Sequence, residues 1–131
     1  MTTSQIRCLL AIVSLAEANE AVTSKNAANL LGISKPSAHR TVGFLQGLGM
    51  IDKKRYGGIS LTDKGRETAR RLGIQKENIA LHFAGEYDLS LADAGAAAVL
   101  LIGALPDEAL ASMLNKVMRL QDSVGIAVES G

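Results

Sequence analysis

The 131-residue chain is poor in aromatics, which make up 3% of it, and it has no tryptophan. A core without large rings must be assembled from Leu, Ile, Val, Ala and Met, which favours helices packed on helices. Cysteine occurs once, as Cys8. That excludes an internal disulfide and a cysteine-rich zinc site within one chain, and it fits a reducing cytoplasm, the expected location. No run approaches the ~18 consecutive apolar residues of a membrane span, so no membrane partner is expected. The apolar stretch Cys8–Leu15 follows a single basic residue, Arg7, and reads better as a first helix than as a secretory signal. No sign of charge dominates, since the formal net charge is +1.

The distribution of charge says more than the total. Residues 1–76 hold 12 Lys and Arg against 5 Asp and Glu, whereas residues 77–131 hold 2 against 8. A basic half is what a polyanionic partner requires. A chain of this length, 47% hydrophobic and 21% charged, has the composition of a folded globular protein.

Helical spacing and stop signals divide the first half. Ser4 is a candidate cap for a helix to about Ala18, with Ile6, Leu9, Leu10, Val13 and Ala16 as its apolar stripe. Asn19-Glu20 reads as a turn. Thr23 caps a short helix ending at Leu31, where Gly32 supplies the left-handed stop. Ser34-Lys35-Pro36 opens the next helix, with Pro36 in the first turn where its missing N–H costs nothing. That helix buries Val42, Leu45 and Leu48 and stops at Gly49. Helix, tight turn, helix is the arrangement of a helix-turn-helix. Met50–Lys54 and Ile59–Leu61 then read as a hairpin, with Gly57-Gly58 suited to a turn needing positive φ. Thr62 caps a long helix to about Gly85, with a weak point at Gly73.

The pattern predicts double-stranded DNA as partner. A recognition helix exposes small polar and basic side chains at its N-terminal end, which meets the major groove. Here those are Lys35, Ser37, His39 and Arg40. Arg40 is suited to a bidentate contact with guanine, and Ser37 to a phosphate. The hairpin residues 53–58 add Lys53, Lys54, Arg55 and Tyr56 as a basic wing. The expected fold is mostly α: a winged helix-turn-helix domain at residues 1–72, a helical dimerisation domain at 73–122 and a flexible tail at 123–131.

Residues 27–42 (Ala-Ala-Asn-Leu-Leu-Gly-Ile-Ser-Lys-Pro-Ser-Ala-His-Arg-Thr-Val), Leu48-Gly49-Met50-Ile51 and Ile59-Ser60-Leu61-Thr62-Asp63-Lys64-Gly65-Arg66 together resemble the iron- and manganese-dependent repressors typified by the diphtheria toxin repressor. The Leu-Thr-x-x-Gly-Arg stretch is the most specific part, although other winged-helix regulators share a looser version of it. The resemblance covers roughly residues 4–120. It implies a homodimeric transcription regulator whose DNA contacts fall on Ser34, Pro36, Ser37 and Arg40. Lys35 and His39 join that set by position alone.

The resemblance also implies metal ligands: a His and a Glu four apart after the wing, then His-x-x-x-Cys (or Glu)-x-x-Glu-His. Laid on this chain without a gap from Gly65, those positions hold Lys76, Ala80, Gly95, Val99, Ile102 and Gly103. None is a ligand for a hard or borderline divalent ion. No cofactor is therefore expected. The alternative is a divalent metal held by relocated ligands, for which His82 and Glu86, four apart on one helix, are the candidates, with Glu77, Asp88 and Asp93 nearby.

Ser90 and Asp93 open a helix that is almost wholly apolar to Leu105, and Pro106-Asp107-Glu108 opens a last one. A helix apolar all round needs cover on more than one side. A second subunit is the expected cover, through Ala94, Ala98, Leu101, Ile102, Leu110 and Leu114. The predicted function is a homodimeric regulator, a repressor, reading a pseudo-palindromic operator through residues 35–48. A winged-helix protein-interaction module is the competing class, and a lack of exposed aromatic anchors counts against it. Cys8, His39 and His82 are scattered and no nucleophile motif accompanies them, so no enzymatic activity is expected.

Overall fold

A computed structural model of the chain describes the backbone of residues 1–56 and 58–130, and the side chains of 1–56 and 58–120. In order, the elements are α1 (Thr3–Glu17), α2 (Ser24–Leu31), α3 (Lys35–Gly47), β1 (Ile51–Lys53), β2 (Ile59–Leu61), α4 (Asp63–Tyr87), α5 (Leu91–Ala104) and α6 (Asp107–Ser130). They fall into two units, Met1–Leu72 and Gly73–Gly131.

Hydroxyl caps set the helix starts in the first unit. Thr2 caps α1: its Oγ1 accepts from the Gln5 N–H at 3.2 Å, and the Gln5 side chain accepts from the Thr2 N–H at 3.0 Å. This reciprocal capping box starts α1 two residues before the expected Ser4 cap. Thr23 accepts from the Asn26 N–H at 3.1 Å, and Ser34 from the Ser37 N–H at 3.2 Å. Gly32, at φ 68°, ends α2. Asn19 takes a left-handed φ of 56° at the expected first turn.

The unit's core is aliphatic. α1 contributes Ile6, Cys8, Leu9, Ala11, Ile12 and Leu15, all buried. The expected stripe is thus rotated: Leu10 and Val13 are half-buried and Ala16 is exposed. Two adjacent apolar rows on α1 leave the phase open, and packing selects the row containing Cys8. Burial pushes the Cys8 thiol up to about 11, so at neutral pH it is a protonated, apolar filler. Ala27 and Ala28 of α2 and Ala38, Val42 and Leu45 of α3 complete the interior, each large aliphatic contributing about 1.5–3 kcal/mol on burial. Leu48, expected in that stripe, is 40% exposed. It is the C-cap of α3, and the left-handed turn at Gly49, φ 75°, carries the chain away to β1.

β1 and β2 pair antiparallel with Ile51 opposite Leu61 and Lys53 opposite Ile59. β1 is one residue shorter at each end than expected. The Lys54 N–H donates to the Gly58 carbonyl at 2.6 Å, and the Ile59 N–H donates to the Val22 carbonyl at 2.9 Å, tying the hairpin to the residues before α2. Gly57, at the expected turn, lies outside the described residues. Gly58 is not among the described glycines with positive φ, which are Gly32 and Gly49.

In the second unit α4 runs unbroken through Gly73 to Tyr87, and Asp88 at φ 54° turns the chain. Ser90 accepts from the Asp93 N–H at 3.1 Å and starts α5. α5 buries one face, made of Ala94, Gly95, Ala98, Val99 and Ile102. α6 continues to Ser130, so residues 123–130 have helical backbone where a flexible tail is expected. That stretch has no proline and a single glycine, Gly125, and nothing in it interrupts a helical hydrogen-bond ladder. Gly131 lies outside the described residues. Among them, no helix is long and apolar enough to cross a membrane.

Candidate nucleic-acid interface

Each predicted DNA-contacting residue sits at the start of α3 or on the hairpin. Ser34, Lys35, Pro36, His39 and Arg40 are exposed, and Ser37 is half-buried. The cap geometry explains the exposure. Ala38, Val42 and Leu45 anchor one face of α3 in the core, so the first turn projects with its opposite face free. Ser34 also donates from Oγ to Ser37 Oγ at 2.9 Å, and Thr41 Oγ1 donates to the Ser37 carbonyl at 3.1 Å. These bonds hold the polar turn in one conformation.

The hairpin is joined to α3 by a side-chain contact. Lys53 Nζ lies 3.1 Å from His39 Nδ1. As an ammonium has donors only, the imidazole nitrogen is the acceptor in this pair. His39 therefore has a definite part: it positions Lys53 beside α3. Spacing along one helix gives no sign of this, because the partner comes from β1. Lys54, Arg55 and Tyr56 are exposed, Tyr56 at 95%. Among the described residues the ion pairs are Arg66–Asp63 and Arg70–Glu67, both within α4. Among those residues, Lys35, Arg40, Lys54 and Arg55 thus carry no carboxylate partner, and their charge is left to solvent at the end of α3 and on the hairpin. The expectation that aromatic side chains are absent from the surface is wrong: Phe44 is 57% exposed and Tyr56 nearly fully so. Phe44 is on the solvent face of α3 that Val42 and Leu45 leave outside.

The expected dimer residues separate into two groups. Ala94 and Ala98 are 0% exposed and Ile102 is 7% exposed within the single chain, so a second subunit cannot reach them. The small side chains of Ala94 and Ala98 serve close packing inside the unit. Leu101, Leu110 and Leu114 are half-buried. The uncovered side of α5 is instead the row Ala92, Ala96, Leu100 and Ala104, four residues apart and all exposed, with Leu91 exposed at the start of the helix.

The six positions at which the resemblance implies metal ligands do not fit a divalent cation. Ala80, Val99 and Ile102 are buried apolar residues. Lys76 lies against Gly95: a Cβ placed on Gly95 would stand 3.2 Å from Lys76 Cε and 3.9 Å from Nζ. An ammonium offers three donors and no lone pair. Among the described residues, no three His, Cys, Asp or Glu side chains gather into a cation site, and the His82 ring packs on Phe83, with centroids 5.8 Å apart. A cleft of about 430 Å³ in the second unit is lined by residues including His82, Phe83, Met113, Lys116 and Val117, with no carboxylate or thiol in its lining.

No family model and no curated protein matches the chain. Solved structures do. The metal-dependent transcriptional regulator MtsR aligns with a TM-score of 0.76 at 20% identity, over 93% of this chain and 55% of that one. The manganese regulator SloR aligns at 0.71 and 24% identity, over 88% and 55%. A hypothetical protein from Sulfolobus solfataricus aligns at 0.64 and 19% identity, over 89% of both chains. The chain spans about half the length of the two named regulators. Its fold is that of metal-dependent transcription regulators, the class its sequence resembles.

Proposed function

We propose that the protein is a homodimeric DNA-binding transcription regulator, a repressor, that reads a pseudo-palindromic operator with the N-terminal end of α3 in the major groove. The observation that carries this reading is the cationic surface of Lys35, Arg40, Lys54 and Arg55, which have no ion-pair partner among the described residues, with Lys53 bonded to α3 through His39. Ser34, Ser37 and Pro36 shape the first turn for close approach to the backbone. Two copies related by a two-fold axis would present their α3 helices about one DNA turn apart. The test is selection of bound duplexes from a random pool, followed by affinity measurements at several salt concentrations. Enrichment of inverted half-sites and a steep loss of affinity with salt are expected. Binding that is absent, or equal for all sequences, overturns the reading in favour of a protein partner, for which the exposed Phe44 and Tyr56 are the available anchors.

The dimer contact belongs to the exposed row of α5. Leu100 is 59% exposed at the centre of that row, and burying it would remove apolar surface from water at both copies. Leu100→Glu is expected to weaken dimerisation by about 30-fold, the effect of roughly 2 kcal/mol at an interface hot spot. The same change in a monomer is a surface substitution and should alter stability by no more than about 0.5 kcal/mol. Sedimentation equilibrium reads the first and thermal unfolding at low concentration the second. An unchanged dimer constant would remove α5 from the interface.

A further inference from the structure

We infer that this chain packs a lysine of α4 against α5 at two positions where the family resemblance implies metal ligands, and that its DNA binding is therefore independent of divalent metal. Lys76 on α4 and Gly95 on α5 are both positions at which a ligand is implied. They are also neighbours in space, with the Lys76 stem against the Gly95 backbone. Gly95 is buried, and the absent side chain leaves the room that the Lys76 stem fills. A larger residue at 95 would occupy that room, and a shorter one at 76 would leave it open.

The chemistry of the pair opposes a cation in two ways. First, no oxygen, imidazole or thiolate donor is present at the six positions, so nothing replaces the water that a divalent ion would shed. Second, the Lys76 ammonium, tethered beside Gly95, repels another cation. A covalently attached charge and its four-carbon stem thus stand permanently in the place of a dissociable ion. A metal-gated protein changes state when the ion leaves; this one has nothing to lose.

The part concerning DNA rests on the function proposed above, and the experiment separates the two. Calorimetric titration of the full chain with Mn(II), Zn(II) and, without oxygen, Fe(II) should give no saturable binding, and none of the ions should raise the melting temperature. Stoichiometric binding of any of them that raises it overturns the inference. A double-mutant cycle reads the seat itself. Gly95→Ala should be more favourable for stability in a Lys76→Ala background than in the natural chain, because the truncated side chain no longer meets the new methyl group. Strict additivity overturns the packing of Lys76 on Gly95. Duplex affinity should change less than about twofold on adding a chelator, against the roughly 5–150-fold change typical of a ligand-coupled switch. A larger, metal-reversible loss overturns metal independence. If no duplex is bound under any condition, the proposed function fails, while the titration and the cycle still decide the role of Lys76.

Discussion

Gly65→Ala is expected to destabilise the first unit by more than about 4 kcal/mol, near the whole stability of a small domain. A Cβ at residue 65 would fall on the carbonyl oxygen of Met50, with the Met50 carbonyl carbon only 2.8 Å away. Neither partner can move aside cheaply. Met50 donates its N–H to the Leu45 carbonyl at 3.0 Å and accepts from the Thr62 N–H at 3.1 Å. Thr62 Oγ1 donates to the Gly49 carbonyl at 2.6 Å, and Lys64 Nζ donates to the Leu48 carbonyl at 2.9 Å. The Gly65 N–H is itself capped by Thr62 Oγ1 at 3.0 Å. The end of α3, the start of β1, the end of β2 and the start of α4 therefore meet at one point, and Gly65 permits the close approach. Gly73→Ala is the matched control. It is also a helical glycine on α4, but a Cβ there meets nothing within 4 Å, so the change should stabilise by about 0.4–1 kcal/mol. Chemical denaturation of the two variants makes the comparison. Equal and small effects would show that the close approach at Gly65 is not a constraint.

That junction also explains what the sequence reveals and what it conceals. The Leu-Thr-x-x-Gly-Arg stretch is the most specific part of the resemblance, and its Thr and Gly are structural: one caps α4 and ties it to Gly49, the other lets two backbones touch. Such devices are legible because few residues can replace them. The same is true of the hydroxyl caps Thr23, Ser34 and Thr62 and of the left-handed Gly32. The cap at Thr2 is legible as well, since Gln5 stands three residues later as a capping box requires; a serine nearby obscures it.

The arrangement of α5 is hidden for a different reason. When nearly every residue of a helix is apolar, hydrophobic period says nothing about which side is covered by its own chain. Size does not separate the faces either: Ala94, Gly95 and Ala98 are buried, while the equally small Ala92, Ala96 and Ala104 are exposed. Leu100 falls on the exposed side. The His39–Lys53 pair is hidden because it joins a helix to a strand 14 residues later, and no local spacing encodes such a pair. It divides the cationic surface into a fixed part at Lys53 and freer parts at Lys54 and Arg55.

This division fixes the result expected from removing charges one region at a time. Arg40→Ala should cost about 1–3 kcal/mol on the best operator, roughly 5- to 150-fold, and should relax discrimination at one base pair in each half-site. Arg40 is exposed on α3 and forms no ion pair among the described residues, so its removal leaves no buried charge and should not alter the fold. Replacing both Lys54 and Arg55 by Ala should act otherwise. Affinity should fall by a similar factor for every duplex, and the slope of log affinity against log salt should become shallower by about 0.9 for each phosphate that is no longer neutralised. In a dimer each substitution counts twice. For a complex neutralising roughly 6–10 phosphates, affinity falls about 10³–10⁵ between 50 and 200 mM salt, so these changes of slope are measurable. Lys53→Met carries a further consequence, because it removes both a charge proposed to meet phosphate and the bond to His39. It should flatten the salt slope as the other two do and, by releasing the hairpin from α3, also weaken discrimination. If Arg40→Ala changed the salt slope while leaving base preference intact, α3 would lie along the backbone, and the reading element would have to be sought on the hairpin.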